Sequence, residues 1–492
     1  MIRLLRLACS VLALLAYAYA HAEAKLITVV TDTQVVDISL TDGAILGLEL
    51  AQHAAGKNGR VALFGNEGKA TIGLTGTGVE EPGRYVSARD YYDLPSGADS
   101  LEVRIVGTGT GDVQIAKSYT FHRGSYLIEV AQEITNTSGR VLHAKAVFEL
   151  SDTPTAPSLG ATVYSGPAYY STASQYRKMG FEEIAKGKGA EPVKADNGWV
   201  AMVRHYFVSA WIPEASGDRE YFTRQISQNV YGAGVRIPVV ELAPGDIRRI
   251  GVRLYAGPQE QNTMAAIAPG FEEILDYGWL AILSIPLLWL LKAFHAVAGN
   301  WGWSIVLLTV LVKGVLYPLS VGSYRSMARM RALAPQVEAI KTACGSNKKQ
   351  LGEKIMDLYE KEGANPLGGF VPLLVQIPVF IALFSVLMGT VEMRGAPWIL
   401  WIADLSANDP YYVLPLLMGA TLLVQASLNP KPTERYQVAL TWGLPVLFTI
   451  AFLFMPAGLV LYWTVNNLLS VLQQWQITRT VVMPTQVVAA GQ

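Results

Sequence analysis

The chain has 492 residues, 51% of them hydrophobic and 16% charged, with 39 Lys+Arg against 39 Asp+Glu. That balance excludes a disordered chain and a nucleic-acid binder working through net positive charge. At roughly 150 residues per domain the length allows about three soluble domains, but residues 25–270 read as soluble protein and most of 279–478 as membrane. The two cysteines, Cys9 and Cys344, fall in segments destined for different compartments, which excludes a disulfide framework and a CxxC metal or redox site.

Arg3 and Arg6 precede the uncharged run LACSVLALLAYAYA, and Ala20 and Ala22 suit a cleavage site after Ala22. The run is short of the ~20 residues of a spanning helix. Residues 1–22 are therefore expected to be a signal peptide, with a short uncleaved N-terminal anchor as the alternative. In either case the chain from Lys25 is exported.

From Lys25 the chain alternates apolar and polar residues in short runs broken by Gly, Asn, Asp and Pro, as in LITVVTDTQVVDISL, SLEVRIVGTG and SYLIEVAQEI. These period-two runs predict a large antiparallel β-sandwich over 25–270, with a single short helix near 180–187. Gly107, Gly109 and Gly111 form a GxGxG, but a dinucleotide site needs a helix after the glycines, and 113–121 reads as a strand, so a hairpin is expected. His53, His122, His143 and His205 are scattered without an HExxH, so neither a metal, a cofactor nor a catalytic constellation is expected. A carbohydrate-binding or carbohydrate-processing sandwich stays open as the alternative, because such a site can be assembled from distant loops.

The stretch 279–299 has the length of a span, yet Pro286 interrupts it and Lys292 and His295 lie in its second half. With Trp279, Trp289 and Phe294 suited to an interface, it reads as a helix lying on the outer surface. Five apolar segments follow, at about 301–320, 368–391, 411–428, 438–455 and 458–477, making a five-span core over 301–478 with a short tail at 479–492. The first loop carries Arg325, Arg329, Arg331, Lys341, Lys348, Lys349, Lys354 and Lys361, whereas 392–410 has Arg394 beside Glu392, Asp404 and Asp409. The positive-inside rule then puts the loop at 321–366, and the later one bearing Lys431 and Arg435, in the cytoplasm, with 392–410 outside.

Within the cytoplasmic loop Met327, Met330, Leu333, Val337 and Ile340 recur at helical spacing; after Gly345, Ser346 and Asn347, so do Leu351, Ile355 and Leu358. This predicts a basic, amphipathic two-helix hairpin. It is either a connector held on anionic head groups or a docking arm for incoming polypeptide, whose methionines repack against varied sequences.

Lys313 lies inside WSIVLLTVLVKGVLYPLS. A charge near the bilayer centre costs ~2.5 kcal/mol or more, so such residues face a hydrated cavity or a partner; snorkelling would bring Lys313 only partway to the cytoplasmic end. No Asp or Glu in the predicted spans is available to pair with it, which weighs against an ion-coupled pump. The spans offer uncharged polarity instead, at Thr309, Gln376, Gln425, Ser427, Asn466, Asn467, Gln473 and Gln474, part of it interhelical hydrogen bonding and part a wet groove.

Several stretches taken in order, NGWVAMVRHYFVSAWIP (197–213), GNWGWSIVLLTVLVKGVLYPL (299–319), SMARMRALAP (326–335), NPLGGFVPLLVQIPVFIALF (365–384), DLSANDPYYVLPLLMG (404–419) and PAGLVLYWTVNNLLSVLQQ (456–474), resemble the YidC family of membrane protein insertases, within the YidC/Oxa/Alb superfamily. The resemblance implies a periplasmic β-sandwich with a mutarotase-like fold but no known catalysis. After it comes a five-helix transmembrane insertase core with a cytoplasmic helical hairpin, in a bacterial inner-membrane protein whose C-terminus is cytoplasmic. It implies an insertase and chaperone, not an enzyme, that draws a polar tail of its substrate into a hydrophilic groove without nucleotide hydrolysis. The implied partners are nascent inner-membrane proteins, the phospholipid bilayer and the Sec translocon, with no nucleic acid.

Carried onto this sequence, Lys313 falls at the family's groove arginine, Thr309 at its threonine, and Tyr462 with Trp463 at its substrate-contacting aromatic pair. Gln376, Gln425 and Asn466 complete the expected groove; Arg325, Met327, Arg329, Met330, Arg331, Lys348 and Lys349 form the expected docking face of the hairpin. Lysine loses arginine's planar five-donor fork and, unlike it, can deprotonate. Trp463 keeps an aromatic surface where a tyrosine is common. The signal-like start and the tail VVMPTQVVAAGQ, without a basic cluster, put ribosome contact in doubt and suit a specialised paralogue.

Overall fold

The computed structural model describes residues 26–55, 59–65, 68–76, 81, 83–107, 112–154, 164–187, 192–214, 216–275, 277–345, 347–363, 371–428 and 435–489. The expected signal segment lies outside them. The chain divides into two compact units, the division falling after Leu275.

The first unit is a sandwich of two sheets. One runs, in spatial order, Val193–Ala195, Arg219–Ser227, Val230–Leu242, Leu142–Asp152, Lys69–Gly76, Ile45–Ala55, Gln34–Ser39, Leu26–Val30 and Tyr91–Asp93, with Gly59–Phe64 also paired to Ile45–Ala55. The other runs Arg177–Lys178, Gly166–Tyr170, Trp199–Val203, Phe207–Pro213, Ile247–Pro258, Leu127–Asn136, Val113–His122, Ser100–Gly107 and Tyr85–Ser87. Nearly all pairings are antiparallel; Leu26–Val30 with Tyr91–Asp93 is parallel. The alternation explains the layering: Val113, Ile115, Tyr119 and Phe121 are buried on one strand and Ile128, Val130 and Ile134 on its neighbour. Each such side chain contributes about 1.5–3 kcal/mol. Gly107 ends one strand of an antiparallel pair with Val113–His122, as a hairpin requires, and residues 108–111 lie outside the described ones.

One inward position is a lysine. Lys117, fully buried, donates from Nζ to the carbonyls of Asp42 and Ile72, both at 2.6 Å. It lies 3.7 Å from Glu81 Oε2 and 4.6 Å from the Tyr85 ring centre. Ile72 belongs to the opposite sheet, so the ammonium ties the two layers.

Helix α1 (Phe181–Ala185) lies where a helix was expected. A second, α2 (Gln261–Ile267), was not expected; it leads into a 3-10 turn at Phe271–Ile274. Met264, Ala268, Phe271 and Ile274 pack on Trp199, Ala201 and Tyr255, so the unit closes at Leu275 and not at 270. Gly198, in the NGWV stretch, has φ +101°, and a Cβ there would strike the Tyr170 backbone, so only glycine brings these strands together.

The second unit is helical: α3 (Ala281–Ala298), α4 (Trp301–Val315), α5 (Tyr317–Ala332), α6 (Ala334–Cys344), α7 (Lys348–Lys361), α8 (Val371–Gly389), α9 (Val413–Leu428), α10 (Arg435–Phe452) and α11 (Ala457–Ala489). Gly278–Ala298 is the described stretch that is by itself long and apolar enough to cross a bilayer; the pair α4–α5, bent by 65°, passes only as one broken span. The apolar stretches Leu374–Gly389, Val413–Leu428 and Val438–Phe452 are shorter, α9 rising about 24 Å against a hydrocarbon core of about 30 Å.

Two boundaries differ from expectation. Pro318 removes an amide donor in the first turn of α5, and the helix turns at Leu316 instead of continuing straight to 320. Pro335 likewise separates α5 from α6, so the hairpin consists of α6 and α7, and Arg325, Met327, Arg329, Met330 and Arg331 sit outside it on α5. Helix α11 also runs on through most of the expected tail, to Ala489.

Candidate functional site

Along α4 and α11, apolar burial gives way to polar burial. Ile305 and Leu308 precede Thr309 and Lys313 on α4; Leu459, Val460 and Leu461 precede Thr464, Asn466, Asn467, Ser470 and Gln474 on α11; all are buried. Ala382, Leu383, Val386 and Leu387 on α8 and Leu414 and Met418 on α9 join the apolar end. There the segment after α8 seals the bundle. Asn300 caps α4 by accepting from Trp303 N at 3.2 Å, and its amide donates to the carbonyls of Pro397 and Trp398. Buried Asp409 accepts from Trp401 Nε1 (3.0 Å) and from the amides of Tyr411 (3.0 Å) and Leu414 (2.7 Å).

Lys313 is the charge at the polar end. It is 9% exposed, and Nζ donates to Ser470 Oγ at 2.7 Å. Among the described residues no carboxylate pairs with it. Ser470 Oγ donates to its own helix at Asn466 O (2.8 Å). Thr309 spends its hydroxyl on Ile305 O (2.7 Å). Asn466 Oδ1 and Asn467 Nδ2 are buried without a protein partner, polar capacity suited to water or a polar chain.

Above this cluster Gln376 Nε2 of α8 donates to the Tyr462 hydroxyl at 2.8 Å. Phe380 lies 4.6 Å from Trp463, edge to face, and Phe448 and Phe452 of α10 close on the same indole. The structure thus brings Lys313, Thr309, Asn466, Tyr462, Trp463 and Gln376 onto α4, α8 and α11. Gln425 does not join them: it lines a recess of about 300 Å³ between α9 and α10 with Leu422, Ala426, Leu440, Thr441 and Leu444.

The residues expected in a docking hairpin fall into two groups. Arg329 Nη1 donates to Gly363 O (3.0 Å) and Arg331 Nη1 to Leu428 O (3.1 Å), so these arginines clamp α5 to neighbouring segments. Arg325 is exposed, and Met327 and Met330 are half-buried. Lys348 and Lys349 open α7, whose N-terminus Asn347 caps by accepting from Gln350 N.

Sequence reasoning missed Ser470 and the buried serines Ser320, Ser323 and Ser326 of α5. Their spacing was the signal: three small hydroxyls at steps of three on α5, and Tyr462, Asn466, Ser470 and Gln474 at steps of four on α11.

In the first unit a recess of about 310 Å³ is lined by Tyr170, Asn197, Trp199, Glu214, Arg219 and Arg253 among others. The histidines do not converge: His53 Nε2 lies 3.2 Å from the Tyr126 hydroxyl, exposed His122 3.2 Å from Glu129, and His205 stacks on Tyr206.

The YidC periplasmic domain family matches residues 26–290, and the family described as 60Kd inner membrane protein matches 293–484. A protein of Aromatoleum aromaticum named membrane protein insertase YidC is 46% identical over 463 residues, 92% of this chain and 84% of that protein. A crystal structure of an active YidC insertase aligns over 91% of this chain and 92% of its own at 19% identity, with a TM-score of 0.42. A galactose mutarotase related enzyme from Lactobacillus acidophilus aligns over 47% of this chain and 97% of its own at 8% identity, with a TM-score of 0.31. Nothing in these relationships supports the carbohydrate-handling alternative. With one family matching more than half of the chain, the other most of the remainder, and a relative 46% identical over 92% of the chain, the chain belongs to the YidC family of membrane protein insertases.

Proposed function

We propose that the chain inserts and helps fold nascent inner-membrane proteins by admitting a short polar segment of the client to the Lys313 face, while the client's apolar helix passes into lipid alongside. The observation that carries this reading is the change from apolar to polar burial along α4 and α11, with a charged lysine at its base. A polar face open from one side shortens the low-dielectric path a hydrophilic tail must cross, and burial of an apolar helix of ~20 residues supplies the drive, so nucleotide hydrolysis is not needed. Tyr462 and Trp463 offer the aromatic contact where the client's polar tail gives way to its helix. The partners in this reading are the client, the bilayer and, for clients with long exported loops, the Sec translocon. The basic hairpin α6–α7 receives clients on the cytoplasmic side.

The same reading takes α4–α5, α8, α9, α10 and α11 as five crossings, the C-terminus in the cytoplasm and α3 on the outer surface. Two contacts of α3 support the last point. Ser284 Oγ donates to Ala382 O (3.2 Å) and Lys292 pairs with Glu392 (2.8 Å), so α3 accompanies only the C-terminal half of α8 and the turn beyond it.

The test is reconstitution in liposomes without other translocation factors, scoring protease-protected insertion of a small two-span client with a short acidic loop. Wild type is expected to insert it above empty liposomes, and Lys313→Ala to slow it about tenfold, ~1.4 kcal/mol of barrier. A folded wild-type protein that inserts none of several clients would refute the reading.

A further inference from the structure

The groove lysine is held by a residue that the insertion reading does not itself require. A serine hydroxyl has one donor and two acceptor sites. Ser470 spends its donor on Asn466 O (2.8 Å), the backward bond common to serines inside helices. Its lone pairs are then left to accept, one of them from Lys313 Nζ at 2.7 Å. The backward bond fixes the hydroxyl on α11 and leaves its oxygen facing the lysine of α4. Ser470 is 3% exposed.

We infer that Ser470 is the positioning residue for the Lys313 ammonium, holding it against α11 so that its two remaining N–H donors meet a client carboxylate. The inference rests on the insertase reading and refines it, since it makes the preference for acidic client tails a property of Ser470 as well as of the lysine. Without the hydroxyl, Nζ loses its fixed point and must be reoriented for each client. The chain of dependence runs through Lys313, so removing Ser470 has nothing left to disturb once the lysine is gone.

The experiment uses full-length protein in liposomes and two clients identical but for a short polar tail carrying either two Asp or two Asn. Initial rates of protease-protected insertion are compared. Ser470→Ala is expected to slow the Asp client about fivefold and leave the Asn client unchanged, and Ser470→Thr to restore the rate. In a Lys313→Ala background, Ser470→Ala is expected to have no further effect. Equal slowing of both clients, no slowing by Ser470→Ala, or a further loss in the Lys313→Ala background would overturn the inference while leaving the insertase reading intact. Insertion of neither client by wild type would overturn that reading and the inference with it.

Discussion

Two buried lysines in one chain show how differently a charge can be accommodated. Lys117 has two carbonyl acceptors, a carboxylate and a tyrosine ring about its ammonium; Lys313 has one hydroxyl. Lys117 is enclosed as a structural tie, and its cost is measurable. Burial, partly opposed by Glu81 and Asp42, lowers its pKa from 10.5 to about 8. Because the folded value lies below the unfolded one, the unfolded chain binds more protons between pH 8 and 10.5, and stability rises with pH across that window. Buried Tyr85 and Tyr119 are pushed upward by desolvation, so their contribution falls as pH passes the ordinary tyrosine value of 10. Urea unfolding of residues 26–275 is therefore expected to show stability climbing from pH 7.5 to 9.5, by up to about 2 kcal/mol. Lys117→Met should abolish that slope; a wild-type profile that is flat or falling would show the lysine is not held as described.

At the scale of elements, the N-terminus of α4 is fixed by packing that admits no side chain at Gly302, where a Cβ would overlap the Trp398 indole. Gly302→Ala is expected to destabilise the helical unit by about 1–3 kcal/mol, read as a lower melting temperature in detergent, and Trp398→Phe in the same chain to recover part of it. If Gly302→Ala melts like wild type, the segment after α8 does not seal the bundle there. Much of this architecture was legible. The long apolar runs carried the helices of the second unit, and strand alternation carried the sandwich, in which Lys117 already stood at an inward parity between Ile115 and Tyr119. The bend at Leu316 was not legible, because Pro318 near the end of an apolar run is equally compatible with a straight span. Lys313 and Tyr462 stood out by charge and by resemblance, whereas Ser470 did not: a serine in an apolar helix is ordinary, and only its placement opposite Nζ gives it a role. Gln425 was misassigned for the complementary reason, since polarity within a span does not reveal which neighbour it faces.

At the scale of the whole molecule, everything turns on which side of the bilayer each loop occupies, and α3 decides it. As a surface helix, α3 leaves Trp279 and Val297, both exposed, on the same side. As a span it would separate them and invert every later loop. The charges favour the first arrangement, since the segment 321–366 carries eight Lys and Arg against one in 392–410. Four single-cysteine variants, made with Cys9→Ser and Cys344→Ser, separate the alternatives: Trp279→Cys, Val297→Cys, Lys349→Cys and Ala403→Cys, treated in spheroplasts with a membrane-impermeant maleimide. Labelling is expected at 279, 297 and 403, and at 349 only after the membrane is opened. The opposite pattern, with 279 and 349 reactive and 297 and 403 protected, would make α3 a true span. It would also put the Lys313 face open to the outside, where no nascent chain could reach it from the ribosome, so the same four measurements that fix the topology also bear on whether the groove can do its work.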